Sequence, residues 1–435
     1  MKRILFIVAL MSVVLAGCSK GPANPYAKPE RFTNANYFEE KDGMYEEMPV
    51  NTTSIVMVGD DYIDRGMWSE FFGDTAIKNR GITYDATEQV LYRIHNIAAQ
   101  KPAKIFVSVG WNDVLNQVPQ EKIVENIDKI FKHIHKLSPA TKCYWMNIVS
   151  TNGVTEEMTG VIDYVNQAVE KLSQKGKFEV IDIQAAVLEG IRNNTYSWDG
   201  GTYLNGAGYE ALAASIETQV GKPHLNHAND REYPLQVSDY YKHRVSVFRS
   251  LPETENKIVM LGNSLNNNAL WEELFPMGYL INRGISGDVV DGVCQRLDEI
   301  IPDKPAKIFL ITGTNDFINN PEKPAIEVWN SYEKLIQTIR TELPDTQLYV
   351  QSTLPLNPKS KFYEGFNERA MELNKLLDAG KERYGYYYLD IASILSDENG
   401  DLAEINTTDG IHLSAIGYFK WAAELAKGTR MNPKL

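Results

Sequence analysis

Cysteine is nearly absent from this chain: 435 residues hold three, and Cys18 closes an apolar leader, so the body carries only Cys143 and Cys294. Those two fall at unlike places of an internal repeat, which argues against a disulfide joining the copies and leaves buried apolar thiols as the expectation. Positive charge is also in deficit, with 44 Lys and Arg against 57 Asp and Glu and a net charge of −13. Phosphate contacts need clustered cations, so nucleic acid and polyanionic glycans are excluded as expected partners, and neutral or weakly charged ligands fit better. Beyond the adjacent Asp60 and Asp61, no histidine cluster and no second carboxylate pair at ligand spacing stands out, and neither a metal nor an organic cofactor is expected.

What is present supports full cores: 43% hydrophobic residues with 10% aromatics, in a chain long enough for two or three ordinary domains. The first residues, MKRILFIVALMSVVLAGCSK, have a basic start, an apolar run from Ile4 to Ala16 and small residues before Cys18. This is an export signal rather than a spanning helix. Its LAGC ending resembles the bacterial lipobox, which implies cleavage before Cys18 and lipid attachment there. Ser19 after the cysteine implies, by the same resemblance, the outer membrane as the place of the anchor. Residues 19–49 are polar, rich in Pro, Asn, Lys and Glu and without sustained period, and are expected to be a tether.

The body is a duplication. Ile55–Asp113 contains IVMVGDDYIDRGMW, NRGITYD, KPAKIF and GWND; from Ile258 the chain reads IVMLGNSLNNNALW, NRGISGD, KPAKIF and GTND. The blocks recur after 203 positions throughout, since 264 − 61, 282 − 79 and 315 − 112 agree. A register kept over so long a stretch marks a repeated domain, not a short solenoid unit. Copy one is expected over residues 50–221, an ordered connector packed on both domains over 222–250, and copy two over 251–435. In each copy, short β-branched or apolar runs such as KIVMLG, KIFLITG, QLYVQST and YYYLDI alternate with helix-period segments such as Ala325–Leu343. The fold class is therefore α/β, with a parallel sheet covered on both faces, and ligands belong at the carboxyl ends of its strands.

Copy two places LGNSLNN after its first strand, GISGD after the second, GTND after the third and DGIHLS near its end. At these four blocks the chain resembles the SGNH, or GDSL-type, hydrolases, esterases and lipases on a three-layer α/β/α fold. A serine at a strand end could be a mere helix cap, and a lone DxxH is weak evidence. Together with the other blocks they read as a triad: Ser264 as nucleophile, His412 as base and Asp409 orienting the imidazole. The resemblance implies an oxyanion hole from the backbone amides of Ser264 and Gly287 and the side-chain amide of Asn315. Asp316 is expected to fix its loop. Asn263 and Asn266 stand where the family more often has Asp and Thr, and the second change is expected to bear on substrate preference.

In the same register copy one has Asp61 for Ser264, Tyr84 for Gly287, Trp111 for Thr314 and Tyr203 for His412, although Asn112 and Asp113 remain. Nucleophile and base are gone, so copy one is expected to be non-catalytic, its aromatics filling or reshaping the old site. The reading is then a lipid-anchored cell-envelope serine esterase acting on an acylated carbohydrate or other small ester, foremost an O-acetyl ester. The alternatives are a lipase or thioesterase for longer acyl chains, against which the absence of an apolar lid insertion weighs, and a glycan-binding protein with a vestigial site.

Overall fold

The computed structural model describes residues 23–29, 35–225, 238–253, 255–276 and 280–429. Cys18 and its leader lie outside the described residues, as does the middle of the expected connector.

Two five-stranded parallel sheets follow one another along the chain. The first contains β1 (Ile55–Gly59), β2 (Ile77–Gly81), β3 (Lys104–Ser108), β4 (Lys142–Met146) and β5 (Glu179–Ile181), in the order β2-β1-β3-β4-β5. The second contains β6 (Ile258–Gly262), β7 (Leu280–Gly284), β8 (Lys307–Ile311), β9 (Gln347–Gln351) and β10 (Tyr387–Leu389), in the equivalent order. The strand signal is strongest where both faces are buried: β1 and β6 are buried at every residue and read as unbroken apolar runs. β2 and β7, reading IKNRG and LINRG, carry a polar side chain and an arginine and offer no such run.

Because side chains alternate along a strand, each sheet feeds two cores. In the first domain Val56, Val58, Ile105 and Val107 pack against Thr87–Ala99 and Gln120–Leu137, while Met57, Phe106 and Tyr144 pack against the opposite helices. The second domain repeats this, with Val259, Leu261, Ile308 and Leu310 on one side and Met260, Phe309 and Ile311 on the other. The two domains are thus three-layer α/β/α units.

Four helices join the halves: α1 (Ala35–Glu47), α2 (Gly206–Val220), α3 (Asp239–Ser250) and α4 (Ala415–Thr429). α1 corrects the expectation of a tether. Phe38, Met44 and Tyr45 are buried in the core of the second domain, where α1 packs on α4. In the connector, α3 buries Tyr241, Val245 and Phe248 in the core of the first domain against α2, and its Tyr241 hydroxyl reaches Gly292 of the second. The spacing between Tyr37 and Tyr240, and between Lys41 and Arg244, is again 203 (240 − 37 and 244 − 41). Each domain therefore sends the helix that precedes it onto the other, and the repeat starts earlier than the motif blocks indicate. An internal pseudo-twofold follows. Arg80 at the end of β2 pairs with Glu273 at 2.6 Å, and its equivalent Arg283 at the end of β7 pairs with Glu70 at 3.0 Å. Both arginines are almost wholly buried, and each is met by two carboxylate oxygens, the geometry a guanidinium fork suits.

Candidate active site

The site grows from the carboxyl edge of the second sheet. Gly262 ends β6 at φ +151°, and a Cβ there would lie 1.8 Å from the carbonyl oxygen of Ile311, so only glycine allows β6 and β8 to approach. The chain then turns into the short helix Ser264–Asn268. Its cap is Asn263, whose side-chain oxygen accepts from the backbone N–H of Leu265 at 3.1 Å. Ser264 is thereby freed from capping, and its Oγ lies 3.0 Å from His412 Nε2.

The imidazole is held from the other side by its own loop. Asp409 Oδ2 lies 2.8 Å from His412 Nδ1, while Asp409 Oδ1 accepts the backbone N–H groups of Ile411 and His412, both at 2.8 Å. Burial works against the Asp409 charge, but the bond and the charge of His412, with the two amides, win and pull its carboxyl down to about 2. Burial pushes His412 down; the Asp409 hydrogen bond and the nearby carboxylates of Glu40 and Asp409 outweigh it, and the net shift is upward. Serine, imidazole and carboxylate thus form one hydrogen-bonded chain.

The other expected residues meet at the same cleft. Gly287 sits at φ +83° with open space where a Cβ would point. Asn315 donates one amide hydrogen to the Asp288 carbonyl at 2.9 Å, which leaves its second for the cleft it lines. Asp316 accepts from the backbone N–H of Val290 at 3.0 Å, a loop contact. Asn266 is different from expectation: it is fully buried, accepts from the Trp271 indole at 3.1 Å and does not line the cleft, so it supports the turn and has no reach to substrate.

The model of the GDSL-like Lipase/Acylhydrolase family matches residues 59–211 and again 261–419, well over half of the chain. This chain belongs to that family. Among curated relatives, the alpha1 subunit of platelet-activating factor acetylhydrolase IB from Pongo abelii is 27% identical over 172 residues, covering 38% of this chain and 72% of the relative. The alpha2 subunit from Rattus norvegicus is 28% identical over 175 residues, covering 39% and 73%. Solved structures with a similar fold include a GDSL-like lipase from Bacteroides thetaiotaomicron (20% identity, TM-score 0.38, 43% of this chain and 95% of that one). Another is a carbohydrate acetylesterase from Sinorhizobium meliloti (16%, 0.34, 40% and 99%).

The first GDSL-like domain keeps the frame, with Asp61 and Tyr203 at the places of Ser264 and His412. Arg93 and Arg296 do the same work in the two copies, bonding Asp85 and the Gly59 carbonyl in one, and Asp288 and the Gly262 carbonyl in the other. Tyr84, at the place of Gly287, holds the same left-handed backbone at φ +69°. Asp61 projects its carboxylate back: Oδ2 accepts from the Tyr84 backbone N–H at 3.1 Å and from Asn112 Nδ2 at 3.0 Å, and Oδ1 pairs with Arg65 at 3.1 Å. Tyr203, opposite, lies under the Arg65 guanidinium at 4.1 Å. Trp111 lines a separate small cavity of about 70 Å³ with Asp61 and Asn112. His95 and His133 are buried with ring nitrogens 3.0 Å apart. Cys143 is buried, which pushes its thiol up to about 12, and Cys294 is partly buried; neither forms a disulfide.

The cleft above Ser264 is a cavity of about 490 Å³ shared by both domains. One contributor was missed from sequence. Glu40, on α1, lines the cleft, is buried, accepts from Asn268 Nδ2 at 3.1 Å and meets the Tyr418 hydroxyl at 3.3 Å. Burial pushes its carboxyl up to about 7, with His412 and the Asn268 bond opposing. Its place in a segment that looks like a tether concealed it; the 203-residue spacing, which sets Glu40 opposite His243, was the available signal.

Proposed function

We propose that the second domain is a serine esterase that removes short acyl groups, foremost acetyl, from hydroxyls of carbohydrates, while the first domain has no turnover of its own. The observation that carries this is the Ser264–His412–Asp409 chain opening on a cleft lined by Gly287 and Asn315. Ser264 Oγ attacks the ester carbonyl as His412 Nε2 takes its proton, and the charge that develops on the carbonyl oxygen meets the amides of Ser264, Gly287 and Asn315. The alcohol leaves with the proton from His412. A water activated by the same imidazole then releases the acid from the acyl-serine. The acetyl preference draws on the curated relatives, which are acetylhydrolases by name; the carbohydrate preference draws on the tyrosines that line the cleft.

The test is acetate release by the purified protein from a panel of acetylated sugars and glycans, with Ser264→Ala beside it. Release that vanishes in the variant supports the esterase. No release from any member, or release the variant keeps, moves the glycan-binding reading to the front; faster turnover of long-chain esters than of acetates favours the lipase. We further propose a lipid anchor at Cys18 in the cell envelope, motivated by the leader sequence. If Cys18→Ala leaves the protein in the membrane fraction, that anchor is wrong.

A further inference from the structure

The residues that replaced the chemistry of the first domain do not merely fill its old site. Tyr84 is a large aromatic yet stays 40% exposed, and it lines both the small cavity of its own domain and the 490 Å³ cleft of the other. Tyr203 and Arg65 line that same cleft together with Ser264 and His412. These side chains are held in place. Arg65 is pinned by Asp61 at 3.1 Å and lies flat over Tyr203, whose ring meets Tyr240 edge-on at 5.5 Å. The Tyr240 hydroxyl in turn donates to Asn267 Oδ1 at 3.2 Å, on the helix that begins with Ser264. The wall is therefore tied to the helix that carries the candidate nucleophile.

Its chemistry differs from that of the opposite side. Ile318, Phe362 and Ile411, all from the second domain, give the cleft an apolar side suited to a short acyl chain. The wall from the first domain offers aromatic rings with hydroxyl tips; of the cations that line the cleft, Arg65 is matched by Asp61 and Lys41 by Asp64 at 3.7 Å, while the buried Arg244 donates to the Arg65 carbonyl and the Met67 sulfur. Such an aromatic surface suits a neutral polyhydroxylated ring, which lays its apolar face on a tyrosine and bonds its hydroxyls at the edge. An anionic ligand would meet five carboxyl side chains lining the cleft, Glu40, Asp64, Glu70, Glu272 and Asp409, against three cations, Lys41, Arg65 and Arg244. The volume falls within the range of about 300–1,000 Å³ that small-molecule sites occupy.

We infer that the first domain supplies the alcohol subsite of the second domain's cleft, with Tyr84, Tyr203 and Arg65 as specificity-determining residues that select a neutral sugar ring on the leaving side. This rests on the esterase reading above and gives the degenerate copy a function: recognition of the half of the ester that departs.

The test uses the full chain and two esters with the same acetyl group, ethyl acetate and an acetylated methyl glucoside, with a butyryl ester of ethanol as a third. The variants are Tyr203→Ala and Tyr84→Gly. The second is safe for folding because glycine accepts the left-handed backbone at Tyr84. The ratio of kcat/KM for the glucoside over ethyl acetate is expected to fall about tenfold in each variant, mainly through KM, while the acetyl-to-butyryl ratio holds. An unchanged glucoside ratio, or equal losses on both acetates, overturns the inference and leaves the esterase standing. A parent protein that turns over none of the esters and whose Ser264 is not labelled by a fluorophosphonate overturns both.

Discussion

Asp61 Oδ2 lies 3.1 Å from the backbone nitrogen of Tyr84, so in the first domain a carboxylate sits on the amide that matches the proposed oxyanion donor Gly287, and Asn112 closes the arrangement at 3.0 Å. In the second domain Ser264 and Gly287 stand at those two positions and the corresponding space is part of the cleft.

Restoring the nucleophile alone should therefore not revive the first domain. Asp61→Ser, made in a Ser264→Ala background, is expected to show no ester turnover above that background, because Tyr203 offers no proton acceptor where His412 stands in the other copy. Sustained acetate release by this double variant would mean that the first domain holds a base not identified here.

Asp409→Asn should cost far more in turnover than in binding. An amide next to Nδ1 favours the wrong imidazole tautomer and removes the charge that stabilises the imidazolium, so kcat is expected to fall about 10³–10⁴-fold with KM little altered. Steady-state kinetics on the best acetate ester decide it; a loss below tenfold would make Asp409 a loop residue, consistent with its two backbone bonds.

The pH profile carries the sign of two shifts. His412 accepts a proton only when neutral, and its pKa is raised above the ordinary 6.5, so kcat/KM should fall with acid from a pH above that value, along a limb to which the Glu40 carboxyl, pushed up to about 7, is coupled. Asp409, held near 2, stays charged throughout. The Glu40 carboxylate favours the imidazolium, hence Glu40→Gln should move the acid limb to lower pH. A limb that stays in place in this variant would remove Glu40 from any electrostatic role at the site.

The interdomain arginines give a stability prediction. Glu273→Ala leaves the Arg80 guanidinium buried without its carboxylate, and unfolding free energy from urea titration should drop by about 3–5 kcal/mol. Replacing both partners, Arg80→Met with Glu273→Leu, should recover most of it, since the desolvated charge goes too. If the single variant costs less than about 1 kcal/mol, water reaches the pair and the domains part more readily than their packing suggests.

Much of the fold was legible in sequence because the signals are local. The unbroken apolar runs of β1 and β6 and the 203-residue register define two parallel α/β units. β2 and β7 show no apolar run and were placed only by the motif that follows them, since their IKNRG and LINRG sequences turn polar side chains toward short helices and the domain boundary. α1 was read as tether because Glu40, Lys41 and Asp42 look like surface residues in one dimension; they are buried only because another domain covers them.

The candidate site divides along the same line. Sequence by itself determined which residue types are available in each copy: serine, histidine and aspartate in the second, and Asp61, Tyr84 and Tyr203 at the matching places in the first. It also determined the loops on which they fall, because strand ends are set by local apolar pattern. Only the tertiary structure decided that Asp61 turns onto the Tyr84 amide, that Glu40 arrives from a helix 372 positions ahead of His412 (412 − 40), and that Tyr84 and Tyr203 line the cleft that holds the other domain's serine. Those relationships depend on how two folded surfaces meet, and contacts between distant segments are fixed by packing and charge pairing across that boundary, which no local period in the chain encodes.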